Sequence, residues 1–169
     1  MPITPFHFGP GALFKCMAQR HLSWSVFALA NALIDLEPIV LFVLTGDPDH
    51  PWLHTLPGAI AVAIVAATAG RRPCEWFLRW WNRQLNPVQA QWLATPTKIG
   101  IAPAWAGALA GTISHILLDA VMHLDVRPFW PIIQENPLQG LIAVEQLQWG
   151  CLVAGALGIA VLAMPSRKS

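Results

Sequence analysis

Leu147-Gln148-Trp149-Gly150-Cys151-Leu152-Val153-Ala154-Gly155-Ala156-Leu157-Gly158-Ile159-Ala160-Val161-Leu162-Ala163-Met164 contains no charged residue. An α-helix rises about 1.5 Å per residue, so this stretch nearly covers the roughly 30 Å hydrocarbon core of a bilayer. Three further segments read as spans: about Trp24–Leu44, Trp52–Ala69 and Ile99–His123. In the second, the strongest part, Gly58–Ala69, is half a span, so its start has to recruit His54 and Pro57. Composition agrees. Of the 169 residues, 55% are hydrophobic and 11% charged, against about 25% charged in soluble domains. Nine tryptophans stand beside no tyrosine. The chain reads as a single integral-membrane domain over residues 1–169, an all-α polytopic bundle of about four transmembrane helices.

The flanking segments complete that picture. Gly9–Arg20 makes a helix of about 18 Å, too short to span, and reads as a short re-entrant or interfacial piece. Met1–Phe14 has no early basic residue and is interrupted by Pro2, Pro5 and Pro10, so no cleavable signal peptide is expected. Arg71–Lys98 carries Arg71, Arg72, Arg79, Arg83 and Lys98, interleaved with Trp76, Phe77, Trp80, Trp81 and Trp92. Such a segment lies along a membrane surface, with indoles at headgroup depth and cations in water. Membrane lipids are therefore the expected partners. A net charge of +1 gives no reason to expect nucleic acid. Basic residues cluster at Lys15 and Arg20, at 71–98, and at Arg167 and Lys168. Acidic residues occupy the other loops, at Asp47 and Asp49 and at Asp125, Glu135 and Glu145. The positive-inside rule then places 71–98 and the C-terminus in the cytoplasm. Cys16, Cys74 and Cys151 are too scattered for a disulfide or zinc-ribbon framework.

Ionisable groups within a span are costly and mark functional sites. Asp35 and Glu37 sit mid-way along the first span, and His115 and Asp119 lie in the third. His115, Asp119 and His123 recur every four residues, which puts them on one helix face. His115 and Asp119 are central; His123, near the outer interface, falls at the margin. Asp35 and Glu37 are two apart, so a regular helix turns them roughly 200° from each other. Pro38 removes an N–H and disfavours helical geometry before it. A local break at 36–38 lets both carboxylates turn inward. His7 and His54 add neutral imidazole donors. His21 and His50 lie at loop ends and receive no role. Carboxylates and histidines also serve as glue between membrane helices, which is the structural alternative.

Pro5-Phe6-His7-Phe8-Gly9-Pro10-Gly11, Asp35-Leu36-Glu37, His54 and Gly111-Thr112-Ile113-Ser114-His115-Ile116-Leu117-Leu118-Asp119 together resemble the predicted membrane-bound metal-dependent hydrolases, an inner-membrane group described as LexA-regulated. That family's pattern is an N-terminal His, a D-x-[DE] pair, a His before a membrane helix and a late S-H-x-x-x-D. The order matches along residues 5–131, and the late element is the most specific part. Pro38 stands where the family often has a His, and Leu53-His54-Thr55 is a plainer context than usual, so a second metal does not follow from the resemblance.

The resemblance implies a multi-pass protein of the bacterial inner membrane with His7, Asp35, Glu37, His54, His115 and Asp119 around a divalent ion. Glu37 and Asp119 are the candidate catalytic carboxylates, Glu37 as ligand or general base. Zinc fits the mixed donor set best, and manganese or iron is compatible. The reaction expected is hydrolysis of a lipid-derived or membrane-proximal ester, phosphoester or amide by metal-activated water. Ser114 lacks a nucleophile-elbow context and reads as helix packing or support. A non-enzymatic membrane protein, using the same cluster for metal or proton binding or for packing, is the alternative.

Overall fold

Breaks in the apolar pattern set the helix ends. The computed structural model describes residues 5–163; Arg167 and Lys168, one of the basic clusters above, lie outside the described residues. Pro5–His7 forms a single 3-10 turn leading into α1 (Phe8–Ala18). α2 (Trp24–Ile34) begins where the Ser23 hydroxyl accepts from the Val26 N–H. α3 (Leu36–Thr45) ends at Gly46, whose φ of 82° is the left-handed C-terminal stop that glycine adopts freely. α4 (Leu56–Ala67) is capped by Thr55, with Pro57 in its first turn. α5 (Arg71–Gln84) and α6 (Pro87–Leu93) form the basic, tryptophan-rich segment. α7 (Ile101–Met122) and α8 (Val144–Ala163) are the long uninterrupted helices. No strand occurs among the described residues.

The expected helical bundle is present. Three stretches are long and apolar enough to cross a membrane: Trp24–Thr45, Ile101–Met122 and Val144–Leu162. The remaining apolar segment is shorter than the sequence suggested. α4 starts at Leu56 rather than Trp52, because the Thr55 hydroxyl and Pro57 define a helix start there. That leaves Trp52–Thr55 as a turn and His54 free of helical constraint. α5 exposes Trp76, Phe77, Trp80 and Trp81, the side-chain pattern of a surface-lying helix. α3 and α8 expose Val40, Phe42, Val43, Leu44, Leu152, Val153, Leu157 and Ile159, more apolar surface than a soluble monomer usually shows.

α7 is the axis of the bundle. α2 and α4 pack on it, and α1 lies along α8. Close approach comes from small residues, as membrane helix packing favours. A Cβ on Gly107 would collide with the Ser23 carbonyl, and one on Gly111 would meet the Phe27 carbonyl at 2.8 Å. Ala30, Ala63, Ala66, Ala104 and Ala108 fill the interface with buried methyls. Gly107→Val is therefore expected to push α2 off α7 and cost roughly 1–3 kcal/mol. Thermal unfolding in detergent should show a clearly lowered midpoint. Gly150→Ala, at a position with nothing within 4 Å of the new methyl, should not lower it.

Candidate metal centre

Asp119 is the hub. It lies on the buried face of α7, one turn after His115, as the four-residue spacing requires. Its Oδ2 stands 3.2 Å from His115 Nε2 and 3.2 Å from His54 Nε2. Its Oδ1 stands 3.1 Å from His7 Nε2. Asp35 closes the group from the opposite side, with Oδ1 3.1 Å from His115 Nε2. Asp35, His54, His115 and Asp119 each offer a donor atom within 4.8 Å of the others.

Local structure explains how distant residues converge. α2 ends and α3 begins at Asp35, slightly before the 36–38 break expected from Pro38. Pro38 has no N–H for the Ile34 carbonyl, and the helix bends one turn back. The bend carries Asp35 inward while α3 continues. His54 reaches the group from the Trp52–Thr55 turn, and His7 from the turn before α1, its ring stacked on His115 at 4.0 Å. His7, His54, His115 and Asp119 are all buried. Asp35 is the exception, its side chain 22% exposed, so the group opens toward solvent or lipid there.

Hydrogen bonds assign the protons. The Asn31 amide donates to the Phe27 carbonyl at 2.9 Å, which turns its Oδ1 toward His115 Nδ1 at 3.0 Å. Nδ1 therefore donates to Asn31, and Nε2 faces two carboxylates. That nitrogen meets the carboxylates either through a second ring proton or through a cation bound between them. His54 Nδ1 and Nε2 and His115 Nε2 have no hydrogen-bond partner among the described residues. Two of these atoms, His54 Nε2 and His115 Nε2, lie 3.1–3.2 Å from carboxylate oxygens all the same, so charge rather than hydrogen-bond geometry draws them together. Bonds of about 2.0–2.2 Å around a tetrahedral ion place neighbouring donors roughly 3.3–3.6 Å apart, so the separations of 3.1–3.2 Å need to open by only a few tenths of an ångström. The group has the donors and spacing to hold a metal ion.

Glu37 takes a different place from the one its sequence position suggested. Its carboxylate accepts from the Trp52 N–H at 3.1 Å and the Leu53 N–H at 2.7 Å, and lies 4.0 Å from His54 Nδ1. It stands on the far side of His54 from Asp119 and anchors the turn that carries that ring. Glu37 is a positioning residue for His54 rather than a member of the donor group. Ser114 donates to the Ala110 carbonyl at 2.6 Å, one turn back on its own helix.

His50 has no role in the sequence pattern and His123 a marginal one; the structure brings both in. With Asp119 they form a second group of donors within 4.8 Å of one another. His50 is held by Asp125, which accepts from its backbone N–H at 3.0 Å and contacts Nδ1 at 2.6 Å. Partial burial would raise the Asp125 carboxyl, but the hydrogen bond from His50 outweighs this and holds it below its ordinary value. The rings form a chain: His115 to His54 at 5.3 Å, His54 to His50 at 4.4 Å and His50 to His123 at 4.9 Å. The four-residue spacing from Asp119 to His123 was the available signal. His50 had none, because its proximity depends on how the loops at 46–55 and 123–130 fold over the helix ends. Comparison of the chain with protein-family models, with curated proteins and with solved structures finds no match.

Proposed function

We propose that the protein is an integral-membrane, metal-dependent hydrolase of a lipid-derived or membrane-proximal ester, phosphoester or amide. The observation that carries the reading is the buried His115 Nε2, set 3.1 Å from Asp35 and 3.2 Å from Asp119 within a helical bundle that exposes an apolar surface. The order of His7, Asp35, His54 and the His115–Asp119 element in the membrane-bound hydrolase family supports it. So does the basic 71–98 segment, which argues for a cytoplasmic side opposite the site. Zinc is the ion proposed, on the mixed imidazole and carboxylate donors.

A divalent ion held here with one coordination position open to water would lower that water's pKa toward neutrality and polarise the group to be cleaved. The chain does the rest. Asn31 keeps the His115 proton on Nδ1 and Nε2 available. Glu37 holds the Trp52–Thr55 turn so that His54 faces Asp119. Asp35, at the open side of the group beside exposed Leu36 and Ile39, is where a substrate with an apolar chain would arrive. The buried faces of His7, His54 and His115 exclude bulk water from the opposite side.

The test is turnover. Detergent-purified protein reloaded with zinc, and separately with manganese, is offered ester, phosphoester and amide lipids in mixed micelles. The expected result is hydrolysis of one class, abolished by a chelator and restored by the metal. Stoichiometric metal with no turnover of any class would overturn the enzyme reading and favour a metal-binding membrane protein.

A further inference from the structure

We propose that the centre holds two divalent metal ions, the second bound by His50, His123 and Asp119, with Asp119 shared between the two sites. The inference rests on the reading of the Asp35–His54–His115–Asp119 group as a metal site and extends it to the neighbouring donors.

Donor capacity is the first argument. Zinc takes four ligands in most protein sites. Asp35, His54, His115 and Asp119 already supply that number. His7, already against Asp119 Oδ1, His50 and His123 remain, and the last two each have a ring nitrogen in reach of Asp119.

The second argument is how the extra rings are held. Asp125 contacts His50 Nδ1 at 2.6 Å and fixes the proton there, leaving Nε2 as the acceptor. A carboxylate behind an imidazole is the usual support of a metal-ligating histidine. His50 is 3% exposed although it lies in a loop. His123 is placed with similar care. Asn136 donates to the Ala120 and His123 carbonyls at 2.7 and 3.1 Å and fastens the end of α7.

The third argument is Asp119 itself. A carboxylate can give one oxygen to each of two ions, and ions in paired hydrolytic sites stand about 3.5–4 Å apart. Three protein donors leave coordination positions open at the second ion, the arrangement of a site that meets substrate.

Chelator-stripped protein in detergent is titrated with zinc and with manganese, and the manganese form is examined by electron paramagnetic resonance. The wild type should take two equivalents, and its manganese spectrum should be that of a coupled pair. His50→Ala and His123→Ala should each take one equivalent and give an isolated-ion spectrum. Asp125→Asn should weaken the second equivalent by roughly 10–100-fold, and it tests the site even where a histidine variant does not fold. A single equivalent in the wild type, unchanged in His123→Ala and Asp125→Asn, overturns the second site and leaves the first intact. No bound metal in the wild type overturns both. Two equivalents retained by all three variants also overturn the second site.

Discussion

Asp119→Ala is expected to leave a protein that still inserts and folds but holds no metal. Asp119 contacts His7, His54 and His115 at 3.1–3.2 Å, and it belongs to both donor groups. Its removal takes a ligand from each and leaves three buried imidazoles without the charge that gathers them. His115→Ala should empty only the group containing Asp35 and His54, since His115 is absent from the other. Both losses should exceed the roughly 10–100-fold that follows from disturbing a supporting residue. Insertion is preserved because the spans are set by their apolar length, which neither substitution changes. Elemental analysis of the purified variants checks this, with His21→Ala as the control that keeps its metal. Full metal content in both Asp119→Ala and His115→Ala would place the site elsewhere.

Glu37 carries the second large expectation. A direct ligand or base would lose its function outright on conversion to glutamine. The structure instead makes Glu37 the anchor of the Trp52–Thr55 turn. Glu37→Gln keeps an acceptor for one N–H, so it should retain metal with affinity lowered about 10–100-fold. Glu37→Ala leaves the Trp52 and Leu53 N–H groups without the acceptor they now share, frees His54, and should lose more of both metal and turnover. Pro38→Ala should regularise the bend at Asp35, because the new N–H can pair with the Ile34 carbonyl. Proline in a helix interior costs about 3 kcal/mol, so this variant should be more helical and yet bind metal less well, as Asp35 rotates away. Affinities from zinc titration, alongside circular dichroism, decide the case. Complete loss of metal in Glu37→Gln with the fold intact would return Glu37 to the donor group. Parental affinity in Pro38→Ala would separate the bend from the site.

The residues that sequence reasoning located well were those whose placement is local. His115 and Asp119 share a face because they are one helical turn apart, and α7 is regular throughout. The bend near Pro38 follows from a missing N–H. Asp35 and His54 were legible as costly polar groups at the centre and edge of apolar spans. Depth in the bundle and loop closure were not legible. His50 meets His54 and His123 only because Asp125, 75 residues away in sequence, holds it. Glu37 was placed in the site by its nearness to Asp35, but its carboxylate is drawn to the unpaired N–H groups of a turn that had read as helix. The length of α4 was overestimated for the same reason, since Thr55 and Pro57 start a helix that hydropathy alone extends backward.

The central claim is that the buried imidazoles and carboxylates around Asp119 gather a metal ion rather than pair with one another through protons. The most direct measurement is the metal content of the wild-type protein, purified in detergent without chelator and counted by elemental analysis against protein concentration. The account predicts a stoichiometric divalent metal, at least one ion per chain, that a strong chelator removes and added zinc restores. A wild-type protein that folds, contains no metal and takes up none from micromolar zinc would contradict it, leaving the cluster as histidine–carboxylate ion pairs that bind protons and lock the helices together.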